Sequence, residues 1–327
     1  MRDLDAICLG EALIDFVSLQ SGVSLLEAPD FHKAAGGAPA NVAVGLARLG
    51  ARSAFVGKVG DEPFGRFIQK TLDDNGVDTS GMVFSPETRT GLAFVSLTAE
   101  GERDFVFFRN PSADMTFHPD ELAGTLLARG RIFHYGSITL IDEPARSTTL
   151  RALDLACEAG ALISYDPNLR LNLWPSLDAA CRGMREGFAR AHVVKVSEEE
   201  LAAITGIQNV EGAADRLLDE GPLELLAVTA GARGCRYFTR RCRGGVPGFR
   251  MHVVDTTGAG DGFVAGMLVG LLPACLAGHQ PGDLDDPELQ RIFHYANAVG
   301  ALTTTVRGAI PALPVASRVD AFLASHQ

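Results

Sequence analysis

One run of residues carries the densest chemistry in the chain: Asp255-Thr256-Thr257-Gly258-Ala259-Gly260-Asp261-Gly262-Phe263. It follows a β-like stretch, Phe249–Val254, and opens a long apolar segment that reads as a helix. Small residues at 258–260 let the backbone turn tightly and present its amides. At a helix N-terminus those amides and the helix dipole favour negative charge. Asp261 falls in the first turn, beside that anion site. A carboxylate there can take a proton from a hydroxyl while a phosphoryl group arrives next to it. Asp261 as a mere helix cap is the plainer reading, but a cap does not require Gly-Ala-Gly before it.

A second glycine motif lies near the N-terminus. Gly36-Gly37-Ala38-Pro39-Ala40-Asn41 opens a helix, and Gly57-Lys58-Val59-Gly60-Asp61-Glu62-Pro63-Phe64-Gly65 follows one strand later. Gly36-Gly37 permits close approach of backbone to a ligand. Asn41 offers a polyol both donor and acceptor. A common loop with a solvent-facing Asn41 explains either motif alone, but explains both together poorly. No Walker-type phosphate loop occurs, and no G-x-G-x-x-G follows the first strand. Both absences speak against a P-loop enzyme and a dinucleotide-dependent dehydrogenase.

Together the two motifs resemble the signatures of the ribokinase-like (PfkB) family of carbohydrate kinases. The resemblance runs from Leu9 to about Pro314. Three segments are similar to the fructokinase branch: Phe107–Met115, Asp166–Arg170 with Leu173-Trp174-Pro175, and Lys195–Leu201. The resemblance implies a ribokinase-like α/β fold, with a mostly parallel central sheet, helices on both faces and a small β-sheet lid. It implies ATP-dependent transfer to a primary hydroxyl of fructose, giving fructose 6-phosphate. Asp261 would be the base, and the amides of Gly258, Ala259 and Gly260 would hold developing charge. Asp15, Gly36, Gly37, Asn41, Arg109 and Arg170 would face the sugar. Lys195, Thr229, Gly231, Gly234, Asn297 and Gly308 would face ATP. Glu200 would help organise magnesium indirectly, and Asp255 and Thr257 match positions that hold a monovalent cation such as potassium in some relatives. The family's Asn-x-x-Glu motif reads Ser197-Glu198-Glu199-Glu200 here. Ser197 and Glu200 also form the pattern of a capping box, and both readings can hold at once. Arg109 and Arg170 have exposed surface arginines as their bland alternative, and Asp166-Pro167-Asn168 a simple turn. The nearest rival substrate is 2-keto-3-deoxygluconate or another sugar on the same fold. A sugar-binding regulatory protein without catalysis is the rival of another class, and Asp261 with its intact Gly258–Gly260 turn argues against it.

Composition is compatible with these expectations. The chain has 327 residues, 46% of them apolar and 21% charged, with a formal net charge of −11. That charge disfavours nucleic acid and anionic membranes as partners. Lysines occur only at 33, 58, 70 and 195, so a phosphate site must rely mainly on arginine, backbone amides and metal. The cysteines at 8, 157, 181, 235, 242 and 275 show no C-x-x-C spacing, which points to reduced thiols in the cytoplasm. Phe263–Gly278 is interrupted by glycines and Pro273 and reads as a buried core helix rather than a membrane span.

Strands near Ala6–Leu9, Ala54–Val56, Ile132–Tyr135, Leu162–Tyr165, Val193–Val196 and Leu225–Val228 alternate with helical patterns such as Pro39–Leu49 and Phe64–Asp74. Such alternation predicts a mostly parallel sheet covered on both faces. Gly91–Leu97 and Asp104–Phe108 break the rhythm as a hairpin around 99–102 with no clearly polar face. The expectation is one domain, 1–327, with a β lid from segments near 13–35 and 88–112. Pairing of those lids would make a homodimer.

Overall fold

The structure, a computed structural model, describes residues 2–20, 22–97 and 103–326. Its first half runs β1 (Leu4–Leu9), β2 (Leu13–Ser18), β3 (Phe31–Gly36), α1 (Ala38–Arg48), β4 (Ser53–Gly60), α2 (Pro63–Asp74), β5 (Asp78–Ser85), β6 (Gly91–Leu97) and β7 (Arg103–Phe108). Next come α3 (Gly124–Leu127), β8 (Gly130–Gly136), α4 (Ala145–Glu158), β9 (Leu162–Asp166), α5 (Leu177–Phe188), β10 (Val193–Ser197), α6 (Glu198–Thr205), α7 (Val210–Asp219) and β11 (Leu225–Thr229). The chain closes with β12 (Gly234–Phe238), β13 (Arg243–Pro247), α8 (Ala259–Ala277), α9 (Asp286–Thr303), α10 (Ala309–Ala312) and α11 (Ala316–Ala324).

Nine strands form one sheet in the order β13-β12-β11-β10-β9-β8-β1-β4-β5. Pairing is parallel from β5 to β11, and β12 and β13 add an antiparallel edge. Alternate residues of the central strands feed two separate cores. Ala6 and Cys8 of β1 join one core, and Ile7 and Leu9 join the other. Leu225 and Ala227 of β11 part from Leu226 and Val228 in the same way. This double burial is why those strands read as unbroken apolar runs. The expected α/β class, with a large parallel sheet and a small separate one, is therefore the observed architecture.

The small sheet has the order β3-β2-β6-β7. Its inner pair is parallel and its outer pairs are antiparallel. β6 and β7 are the strands expected at 91–97 and 104–108; the turn expected at 99–102 lies outside the described residues.

One expectation fails. Phe249–Val254 is not a strand: the ladder ends at Pro247, where Asn297 Nδ2 donates to the carbonyls of Val246 and Pro247. Beyond that point Phe249 and Met251 pack against the core instead of pairing, while Val253 and Val254 are exposed. Phe249 lies against Phe322, with ring centroids 4.9 Å apart, and Val254 N–H turns to Thr304 O. The alternation of apolar residues imitated a strand.

α8 explains how the reactive segment is anchored. By length and hydropathy it could cross a membrane, yet α1 and α9 pack against it inside the protein. Its glycines at 262, 266 and 270 repeat every fourth residue and make one face of the helix small. A Cβ on Gly266 would stand 2.9 Å from Ala296 Cα of α9. On the α1 side, a Cβ on Gly45 would stand 2.6 Å from Ala265 Cβ. This close approach brings the start of α1 to the start of α8.

Gly266→Val forces a branched side chain against the α9 backbone. Overpacking of this kind costs about 1–3 kcal/mol, so the thermal unfolding midpoint should fall. An unchanged midpoint would mean that α8 and α9 have slack that the glycines do not explain.

Candidate active site

The site collects at the carboxyl ends of the parallel strands, where open α/β sheets form their crevices. Gly258 caps α8 at φ 77°, a conformation that favours glycine. Ala259 N–H reaches back to Thr256 O, and Gly262 N–H closes the first turn on Gly258 O. The first amides of a helix have no partner within it, so this end is suited to an anion. Asp261 sits there, 8% exposed. Asn41, in the first turns of α1, donates from Nδ2 to Asp261 Oδ2 at 2.7 Å. Burial pushes the Asp261 carboxyl above its ordinary pKa, against the Asn41 bond and the charges of Lys195 and Arg170. Asn41 Oδ1 is buried with no partner among the described residues.

The Gly36-Gly37 turn is fixed by sterics. A Cβ on Gly36 would lie 2.2 Å from Asp15 Oδ2, and one on Gly37, at φ 104°, would lie 2.4 Å from Glu11 O. Glu11 Oε1 accepts from Ala38 N–H at 3.0 Å and so fastens the start of α1. Burial raises the Glu11 carboxyl to about 7. Asp15 is also raised to about 7 by burial, opposed by Arg170 and reinforced by Asp261 and Asp255.

Across the helix start lies a buried cation. Lys195 Nζ is 3.1 Å from Asp166 Oδ2, and it stands 3.2 Å from the point where a Cβ on Gly260 would be. Burial would lower the Lys195 pKa, but Asp166, Glu200 and Asp261 outweigh it and the ammonium is held. Asp166 is raised to about 6 by burial, against Lys195. Glu200 accepts from Leu169 N–H and Ser197 N–H, both at 2.7 Å. Lys195, these amides and Arg170 overcome its burial and keep it below the usual carboxylate range. Ser197 and Glu200 form a complete capping box, so Glu200 joins the β9 loop to the start of α6.

The nucleotide-side candidates line a second rim. Thr229 ends β11 and donates to Val196 O at 3.2 Å. Gly231 and Gly234 turn at φ 58° and 98°. Gly308 N–H donates to Asp255 Oδ2 at 2.9 Å, while Asp255 Oδ1 accepts from Thr257 N–H and Oγ1. Among the described residues no cluster of three or more His, Cys, Asp or Glu side chains could chelate a metal.

Asp15, Gly36, Asn41, Arg170, Lys195, Glu200 and Asp261 thus form one electrostatic group. Asn297 stands apart, its amide spent on β13. Arg109 is not an exposed arginine. Its side chain is 8% exposed, pairs with Asp114 and lines a cavity that does not include Asp261. Glu11, Asp114 and Asp166 were missed as site residues. Only Asp166 left a signal, as an acidic residue between a buried strand and a proline.

The profile of pfkB family carbohydrate kinases matches residues 3–316. The chain is 51% identical over 314 residues to fructokinase-1 of Zea mays, covering 96% of this chain and 95% of that one. A crystal structure of fructokinase with bound ATP from Xylella fastidiosa superposes with a TM-score of 0.87, at 35% identity and 98% coverage of both chains. A double-mutant fructokinase from Vibrio cholerae O395, bound to fructose, ADP and a potassium ion, gives a TM-score of 0.86 at 35% identity and 99% coverage of both chains.

The raised carboxyl of Asp15 sets a pH dependence of stability. Below its ordinary value of 3.8 the group is protonated folded or unfolded. As pH rises towards about 7 the unfolded chain releases the proton and the native state resists, so stability falls across that window. Asp15→Asn should therefore raise the unfolding midpoint at about pH 8 and give no such advantage at about pH 4. An equal offset at both pH values would contradict this.

Proposed function

The chain belongs to the pfkB family of carbohydrate kinases, and from that premise we propose that Asp261 is the base for phosphoryl transfer to a primary hydroxyl of fructose. The enzyme is a phosphotransferase that phosphorylates fructose from ATP. The observation carrying the base assignment is the buried Asp261 carboxylate at the head of α8, held by Asn41 beside Lys195.

Fructose lies against Asp15, the Gly36-Gly37 turn and the unpartnered Asn41 Oδ1, with Arg170 and Arg109 reaching it from the rim. Asn41 occupies Asp261 Oδ2, leaving Oδ1 to accept the hydroxyl proton. Burial makes this carboxylate more basic than usual, which suits a general base. As the sugar oxygen attacks the γ-phosphorus, the bond to the leaving ADP breaks. Amides of Gly258, Ala259 and Gly260, with Lys195 and Arg170, take up the charge, because phosphoryl transfer asks mainly for alignment and neutralisation. Thr229, Gly231, Gly234, Asn297 and Gly308 border the nucleotide. The small sheet acts as a lid from 13–35 and 88–112 on a single domain, keeping water from the phosphoryl group.

Magnesium supplies neutralisation at the ATP phosphates. Both Glu200 oxygens already accept backbone amides, and no chelating cluster occurs among the described residues. Glu200 would therefore act on a bound magnesium ion only indirectly, by orienting water. Asp255 and Thr257 offer hard oxygen donors to a potassium ion. The free cysteines fit a reducing cytoplasm.

Across the small sheet, Phe16 stacks on Phe94 at 4.9 Å, and Phe94 meets Phe31 and Phe108 edge-on. Phe108 and Val106 are 59% and 44% exposed. Two such faces pair in a homodimer.

Steady-state kinetics on fructose, 2-keto-3-deoxygluconate and ribose should give the highest kcat/KM for fructose. The same assay should stop in EDTA and slow when potassium is replaced by a bulky organic cation. A higher kcat/KM for ketodeoxygluconate overturns the substrate. Full turnover in EDTA overturns the metal, and indifference to the cation overturns the Asp255–Thr257 site. Light scattering at micromolar protein should report a dimer; a monomeric mass would mean that the lid closes only over its own site.

A further inference from the structure

A cavity of about 420 Å³ opens at the amino ends of the parallel strands. It is lined by Arg131 in the first turn of chain after the start of β8, by His192 just before β10 and by Glu224 just before β11. Arg2 and Cys157 border it on one side, and Cys275 and Gln280, at the end of α8, on another. Asp261 opens α8 and Cys275 nearly closes it, so the cavity lies roughly 21 Å along that helix from the proposed base.

Its two ends differ in charge. At one end stand two guanidinium groups. Arg131 Nη2 donates to Arg2 O at 3.0 Å. Arg131 Nε is 3.9 Å from Asp5 Oδ1, but that carboxylate is already bonded by Arg52 through both oxygens. Asp3 pairs with Arg129, and Arg2 has no ion pair among the described residues. Positive charge is therefore left over in a chain whose net charge is −11. At the other end stand acceptors. Glu224 Oε2 receives only a long bond from Gly282 N–H, at 3.4 Å, and the last carbonyls of α8 lie on the same side. Between the ends, His192 Nδ1 accepts from Ile163 N–H at 3.0 Å. Burial keeps that ring neutral, with its proton on Nε2 as a donor.

This polarity selects a ligand. β8, β9, β10 and β11 are neighbours in that order, so the backbones at Arg131 and Glu224 are three strand spacings, roughly 14 Å, apart. An α-amino acid carries its two charges on adjacent groups and cannot address both ends. A dianion at the arginine end, with hydroxyls running past His192 and Gln280 to Glu224, can. Arginine pairs are suited to phosphate oxygens, and a carboxylate accepts from hydroxyls.

We propose that this cavity is a second ligand site, separate from the catalytic cleft, for a sugar phosphate: Arg2 and Arg131 take the phosphate, and His192, Gln280 and Glu224 take the hydroxyls. The product of the chain's own reaction, fructose 6-phosphate, has this chemistry.

Cys157 gives the test a local signal, since it is exposed and lines the cavity, whereas Cys181 does not line it. The catalytic cleft is first filled with fructose and a non-hydrolysable ATP analogue. Alkylation of each cysteine is then followed by peptide mass spectrometry against fructose 6-phosphate or inorganic phosphate. Fructose 6-phosphate should slow labelling of Cys157 and leave Cys181 unchanged. In Arg2→Ala, which removes a side chain without an ion pair, the protecting concentration should rise about tenfold. Inorganic phosphate should protect only at higher concentration than the sugar phosphate. No protection of Cys157 at millimolar fructose 6-phosphate, or an unchanged midpoint in Arg2→Ala, overturns the site. Equal protection by inorganic phosphate overturns the assignment to a sugar phosphate.

Discussion

A single hydrogen bond, from Asn41 Nδ2 to Asp261 Oδ2, crosses from α1 to α8 and joins residues 220 positions apart. For it to form, two helix starts must meet at side-chain distance. Gly45, against Ala265 of α8, allows that approach, and Glu11 fixes where α1 begins. The bond also decides which Asp261 oxygen is occupied and leaves Oδ1 for the proton that the proposed mechanism would place there. Packing along α1 and α8 thus controls the orientation of the proposed base.

The same cluster is electrostatically expensive. Asp15, Asp166 and Asp261 are all raised above their ordinary pKa values by burial, while Lys195 and Arg170 are the cations within their reach. A fold selected for stability alone would not gather these carboxylates. The strain is the usual signature of a site whose charges await a ligand. Glu200 differs because two backbone amides and Lys195 meet its charge. It acts as a fixed post between the β9 loop and α6, a structural duty compatible with orienting metal-bound water.

Much of this was legible because it is local chemistry. Gly-Ala-Gly before Asp261, Pro39 at a helix start and the Ser197–Glu200 box all declare helix N-termini, and α8, α1 and α6 begin there. The central strands were legible because burial on both faces leaves an unbroken apolar run. β12 and β13 were not: β13 carries Gly244-Gly245 and the pair forms a charged edge, with Arg236 and Arg243 bound to acidic partners. Strand propensity is weakest in such places. The Arg109–Asp114 pair and the role of Glu11 depend on three-dimensional meeting, and no spacing rule reports that. Phe249–Val254 misled because Phe249 and Met251, packed against the core with Phe249 on α9 and α11, stand two residues apart as in a strand, while Val253 and Val254 are apolar yet exposed.

The most direct test of the central claim is Asp261→Asn, followed by a coupled assay for kcat and calorimetry for both ligands. Asparagine keeps the shape and the helix start but cannot accept the sugar proton. Loss of a positioned general base should lower kcat by about 10²–10⁴, while ATP affinity changes little and sugar affinity falls modestly. A variant that binds both ligands and turns over within a few-fold of wild type would show that Asp261 only caps α8, and the account of proton transfer would be wrong.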